Sequence, residues 1–180
     1  MQSDALFFSK SFFRKCVKEE VYKGRKSFVE RIWAKWLAPE TNSVYLIRKY
    51  LYILHSRPNS IFHHLLRKKL MTKYGIHVSS NTRIDLGLKI CHPSNIMITN
   101  AKIGKNCTLF HNVTIGAKYE NACVDDSPII GDNVTFFSHS SCFGKIVICD
   151  NVRLGSYCCV INDVCSSGTY IGIGKDVRKI

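Results

Sequence analysis

Eighteen consecutive apolar residues occur nowhere in this chain, which excludes a helix long enough to cross a bilayer, since such a helix takes about 20. Acidic residues are scarce, with 13 Asp and Glu against 26 Lys and Arg, a formal net charge of +13. The 9 cysteines include no Cys-x-x-Cys pair, so the commonest zinc and redox spacings are missing and no metal is expected. Proline is rare, at 4 residues. The early apolar patch Ala5-Leu6-Phe7-Phe8 is interrupted at once by Lys10, Arg14 and Lys15. It does not fit a cleavable signal peptide, and a cytoplasmic protein is the expectation.

What is present is a beat of six over residues 76–180. Ile84, Ile90 and Ile96 open it, Ile103, Leu109 and Ile115 continue it, and Ile130, Phe136, Cys142, Ile148, Leu154 and Val160 close it. A second line of small or branched residues runs through Cys107, Val113, Val134, Ser140, Ile146, Val152, Cys158 and Val164. A period of six matches neither strand nor helix and marks a repeat architecture. Three six-residue rungs per triangular coil would point each repeat residue inward, onto its equivalent one coil away. Glycine follows the aliphatic residue at Gly104, Gly116, Gly131, Gly155 and Gly172, where unusual backbone angles are expected at corners. Asn106, Asn133 and Asn151 cluster at the same corners, and asparagine tolerates left-handed geometry. Cys107, Cys142 and Cys158 fall on inward positions and read as small core residues of a reduced protein.

Charge is unevenly spread. Residues 1–75 hold 16 Lys and Arg against 5 Asp and Glu, whereas residues 76–180 hold 10 against 8. The first region reads as basic helices over Ser11 to Trp36, Val44 to His55 and Ile61 to Tyr74, with Thr41-Asn42-Ser43 and Asn59-Ser60 as caps. The two regions, 1–75 and 76–180, are read as separate domains. The basic helices are a solvated face or a contact with an anionic surface, such as a membrane leaflet. No nucleic-acid reading motif accompanies them.

The run Gly87-Leu88-Lys89-Ile90-Cys91-His92-Pro93-Ser94-Asn95-Ile96-Met97-Ile98, with Ala101 to Gly116 and Ser127 to Val134, resembles the hexapeptide-repeat acyltransferases of the serine acetyltransferase branch, which includes sugar and capsular-polysaccharide O-acetyltransferases. The resemblance covers residues 74–174. It implies a mainly β fold, a left-handed parallel β-helix after an N-terminal α-helical region, a homotrimer, acetyl-CoA as donor and a hydroxyl as acceptor. His92 takes the place of the family's catalytic histidine, and imidazole suits general-base work near neutral pH. Cys91 is a weak candidate nucleophile, since neighbours on a strand face opposite sides.

Further roles follow from the same resemblance. His111 falls near the acyl group as an active-site contact. Asp126 and Ser127 stand where the family's Arg-His substrate motif lies, and Ala117, Ser138 and Ser156 fall along the pantetheine arm. Lys175 and Arg178, with Lys179, are candidates for the nucleotide phosphates. Three departures bear on the acceptor. Cys91 replaces the aspartate before the histidine, His77 replaces a second aspartate, and Asp126 removes the cation that would grip a carboxylate. A sugar or surface-polysaccharide precursor is therefore the expected acceptor, on an enzyme at the inner membrane face. Serine O-acetyltransferase and a noncatalytic trimeric scaffold are the alternatives. Residues 117–127 leave the beat as a loop that would shape acceptor choice.

Overall fold

The computed structural model describes residues 7–119 and 126–180. Among the described residues, the helices α1 (Lys10–Cys16), α2 (Phe28–Trp36), α3 (Pro39–Ser56) and α4 (Phe62–Tyr74) precede the strands. The strands then wind into about five triangular coils. The first holds β1 (His77–Val78), β2 (Arg83–Ile84) and β3 (Lys89–Ile90), and the second β4 (Met97–Ile98), β5 (Lys102–Ile103) and β6 (Thr108–Leu109). The third holds β7 (Thr114–Gly116), β8 (Ile129–Ile130) and β9 (Thr135–Phe136), and the fourth β10 (Ser141–Phe143), β11 (Val147–Ile148) and β12 (Val152–Leu154). The fifth runs through β13 (Cys159–Val160) to β14 (Gly168–Ile171), on which β15 (Arg178–Lys179) folds back antiparallel. Strands pair in parallel with the strand three places along, except that β12 pairs with β14, giving the three faces β1-β4-β7-β10-β13, β2-β5-β8-β11 and β3-β6-β9-β12-β14. The fold is therefore a mainly β parallel solenoid behind a helical region.

Register explains the beat. Ile90, Leu109, Phe136, Leu154 and Tyr170 stack in one column, and Ile84, Ile103, Ile130 and Ile148 in another. The second line is buried too, from Cys107 to Cys158 and Val164. One position is corrected: Ile98, not Ile96, pairs with Ile115. Ile96 joins the second line because the preceding corner is two residues longer than its equivalents. Ile90 to Met97 spans seven steps, where Leu109 to Thr114 spans five. The loop excursion is nine residues long in register, since Ile103 to Ile130 is 27 positions and Ile130 to Ile148 is 18.

The corner chemistry divides between two residue types. Asn106, Asn133 and Asn151 take φ values of 55 to 59°, as expected, and their amides form a ladder with Asn106 Nδ2 on Asn133 Oδ1 at 3.1 Å and Asn133 Nδ2 on Asn151 Oδ1 at 3.2 Å. The glycines do something else. Of the five, Gly172 alone has positive φ; a Cβ on Gly104 would instead meet the Gly131 backbone at 2.7 Å, and one on Gly131 the Cys149 backbone at 2.9 Å. They let adjacent coils approach, and the left-handed bends fall mostly to asparagine, with His92, His139 and Tyr157 at one corner.

The helical region departs from the expected Ser11 to Trp36 helix. α1 runs into a π-helical turn over Val17–Val21, the chain breaks at Gly24 with φ of +74°, and α2 restarts at Ser27 through a capping box with Glu30. α3 begins at Pro39, so Thr41, Asn42 and Ser43 lie inside it. Their side chains do not cap α3. Thr41 and Asn42 instead donate to the free carbonyls of Ala34 and Lys35 at the end of α2, which satisfies a helix terminus.

One buried ion pair joins the helices to the first coil. Arg48 of α3 grips Glu20 of the π-turn with Nε to Oε2 at 2.8 Å and Nη2 to Oε1 at 2.6 Å, both side chains being buried. Arg48 also donates to the carbonyls of Ile84 and Asp85, and Glu20 accepts from the backbone N–H of Gly87 and Leu88. Burial disfavours the guanidinium charge, but the Glu20 carboxylate outweighs it and holds the Arg48 pKa above its ordinary value. The apolar core is continuous from Leu46 and Leu70 through Ile76 into the coils.

Candidate active site

The lengthened corner carries His92. Directly after β3, the two extra residues push the chain outward, and both His92 (φ 56°) and Asn95 (φ 51°) adopt left-handed backbone. The same left-handed turn recurs at the equivalent corner of later coils, at Asn112, His139 and Tyr157, so it belongs to the corner geometry of the repeat. His92 is exposed and forms one wall of a groove of about 440 Å³. Glu19, Lys23 and Glu40 come to this groove from the helical region, and Lys89, Cys91 and Asn106 from the coils. Glu20 also lines it, but its oxygens are spent on Arg48 and the corner amides. The joint between helices and solenoid thus builds the groove.

His111 is brought beside His92. Their rings meet edge to face with centroids 6.3 Å apart, and His111 Nδ1 lies 3.3 Å from Ser138 Oγ. The column goes on, since register puts His111, Ser138, Ser156 and Gly172 at equivalent places on successive coils. Alongside, His139 meets His111 edge to face at 5.5 Å and stacks on Tyr157 at 4.6 Å. Sequence reading gave His139 no role; the 27-residue spacing of this coil, lengthened by the loop, hid its place. Glu19, Lys23 and Glu40 were missed as well, because only tertiary packing sets them against residues 87–92.

Other candidates stand apart. Ala117, Asp126 and Ser127 lie between β7 and β8, at a different corner of the triangle from His92. Ser127 is buried with no hydrogen-bond partner for its hydroxyl among the described residues. Lys175 and Arg178 are exposed beyond β14, with Arg178 paired to Ile171 at the far end of the sheet that begins with β3. Among the described residues no carboxylate is ion-paired with the ring nitrogens of His92.

The cysteines on the inward line of the repeat are inert. Burial pushes the Cys107 thiol up to about 12 and Cys142 well above its ordinary value, and a protonated thiol is neither nucleophile nor ligand. No group of His, Cys, Asp and Glu among the described residues could hold a metal ion. No helix of those residues is long and apolar enough to cross a membrane.

No protein-family model matches the chain. It is similar to serine acetyltransferases: 26% identical over 117 residues to that of Buchnera aphidicola, covering 64% of this chain and 45% of the relative. The serine acetyltransferase of Helicobacter pylori J99 is 28% identical over 109 residues, 58% of this chain and 62% of the relative. The chain thus spans about half the length of these curated relatives. The structure of Neisseria gonorrhoeae serine acetyltransferase in complex with serine superposes with a TM-score of 0.79 at 21% identity, over 99% of this chain and 72% of that one.

These likenesses overturn the sugar acceptor expected above, because the relatives carry serine in their names. The physical reason is in the groove. Charge lost at positions 77, 91 and 126 was read as loss of an amino-acid site, yet the groove beside His92 has charges of both signs on Glu19, Glu40, Lys23 and Lys89.

Proposed function

We propose that the chain is an acetyl-CoA-dependent O-acetyltransferase whose acceptor is the hydroxyl of serine. The observation that carries the reading is the placement of His92 at the lip of a groove with both signs of charge, in a chain similar to serine acetyltransferases. His92 accepts the hydroxyl proton as the serine oxygen attacks the thioester carbonyl. The C–S bond then breaks, the acetyl group stays on oxygen, and the coenzyme thiolate takes the proton from the imidazolium, so no acyl-enzyme forms.

The parts divide as follows. The basic region, residues 1–75, supplies the groove's Glu19, Lys23 and Glu40, and residues 76–180 supply the base. A carboxylate suits the acceptor's ammonium and a lysine its carboxylate. His111, Ser138 and Ser156 form one column that starts beside His92 and rises towards Arg178. With strands about 4.8 Å apart, an extended thioester arm laid on that column reaches from the tail cations Lys175 and Arg178 to the base. Ala117, Asp126 and Ser127, on another corner, belong to this site when supplied by a neighbouring copy, which fits a homotrimer and would cover the exposed His92.

The experiment is coenzyme A release from acetyl-CoA with L-serine, for the wild type and for His92→Ala. Serine-dependent release that falls by about 10²- to 10⁴-fold in the variant supports the reading. No release with serine overturns the acceptor, and undiminished release in the variant overturns the base. A noncatalytic scaffold gives no release at all.

A further inference from the structure

We infer that the surface formed by α2 and the neighbouring face of α4 docks on an anionic lipid bilayer. α2 hides only Ala34. Phe28, Val29, Ile32, Trp33, Trp36 and Leu37 are all exposed, Phe28 at 77% and Trp33 at 52%. A monomeric surface rarely leaves so many large apolar side chains together. The patch continues onto α4 through Trp36, whose ring lies under Lys69 at 5.7 Å and under Lys35 at 5.2 Å. Phe62 and Leu65 are exposed on α4 and share a stripe with Lys69 at helical spacing.

Charge selects the occupant. Residues 1–75 carry 16 Lys and Arg against 5 Asp and Glu. One of the acids, Glu20, is buried against Arg48, and another, Glu30, is spent on the Ser27 cap. A second copy of the chain would set like charges opposite each other, which costs affinity. An anionic leaflet does the reverse, attracting Lys and Arg while tryptophan and phenylalanine enter the headgroup boundary. α2 has the required make-up, an aromatic face flanked by Lys26, Arg31 and Lys35, and its 9 residues suit lying in the interface, not crossing it. This surface is distinct from the groove at His92 and does not depend on the acceptor.

Both tryptophans of the chain, Trp33 and Trp36, sit on α2, so intrinsic fluorescence reads this helix alone. The test is sedimentation and tryptophan emission of the full chain with phosphatidylcholine vesicles, with and without phosphatidylglycerol. The expected result is binding and a blue shift with the anionic vesicles only, weakened at high salt. Arg31→Gln with Lys69→Gln is expected to bind about 30-fold more weakly, counting each lost cation at its usual value near an anionic leaflet. Phe28→Ser with Ile32→Ser keeps the charges and is expected to lose the blue shift. Circular dichroism and thermal unfolding check that each variant is folded. Absence of binding by the folded wild type, or equal binding to neutral vesicles, overturns the proposal. So does a blue shift that grows with protein concentration without lipid, which would assign the face to a second copy.

Discussion

His92 and the residues around it make claims that single substitutions can check. Glu40→Gln, in the lining of the groove that His92 shares, is expected to raise KM for serine by about tenfold with little change in kcat, as loss of one charge-assisted contact would do. Steady-state kinetics in serine at saturating acetyl-CoA measures it. The buried thiols give an independent check on the core. Cys16, Cys107, Cys142 and Cys158 should resist a thiol reagent in the folded chain, while Cys91, Cys149, Cys159 and Cys165, which are partly or fully exposed, react. Titration with and without denaturant separates the two sets. His55 and His77 set a pH dependence. Burial lowers both pKa values below the ordinary 6.5, with Arg83 adding to the effect at His55 and Arg67 at His77. The unfolded chain therefore binds more protons just below 6.5, and stability rises with pH in that window. Chemical denaturation should give a midpoint that falls as pH drops below about 6.5, and His55→Gln with His77→Gln should flatten the trend. Among single residues, His92 stood out in the sequence because its neighbours carry a motif, and the structure puts it on the wall of a groove. The groove's Glu19 and Glu40 were not, for nothing in a linear pattern says which solvated carboxylate a fold will turn towards residue 92.

At the scale of elements, the π-turn, α3 and the corner of residues 84–88 act as one joint. Removing one partner of a buried pair strands the other, so Glu20→Ala is expected to destabilise by about 3–5 kcal/mol. Arg48→Leu with Glu20→Leu should cost much less, and urea unfolding of the three proteins tests the difference. Gly87 belongs to the same joint. Its φ is +93°, and an added Cβ would press on the Asn106 backbone at 2.9 Å, so Gly87→Ala should be poorly tolerated. The element level was legible in part. A helical spacing over residues 11–36 is real, yet Gly24 and the Ser27–Glu30 box end one helix and begin another, and those local signals outweigh periodicity. The corner glycines were placed correctly and explained wrongly, since contact between coils is invisible in one turn of sequence.

For the molecule as a whole, stacking carries the stability. Phe136 is fully buried in the column between Leu109 and Leu154, and Phe136→Ala is expected to cost about 3–5 kcal/mol through the cavity it leaves, read by thermal or urea unfolding. Repeat and fold class were legible from the aliphatic beat alone, because each coil must satisfy the same packing rule. Assembly was not, since a chain describes one subunit. A mass near three times 20.5 kDa by light scattering is the expected result for the proposed trimer.

A solenoid of parallel strands has open rims, where unpaired amides invite a further rung from any similar chain. On the sheet that starts at β3, that rim is closed by β15, which runs the opposite way and presents Arg178 and Lys179 to solvent. An incoming parallel rung meets reversed polarity and a row of positive charge there. Arg178, which the proposal lends to the nucleotide phosphates, thus also stands with Lys179 where a further rung would have to add, and disfavours end-to-end stacking on this side.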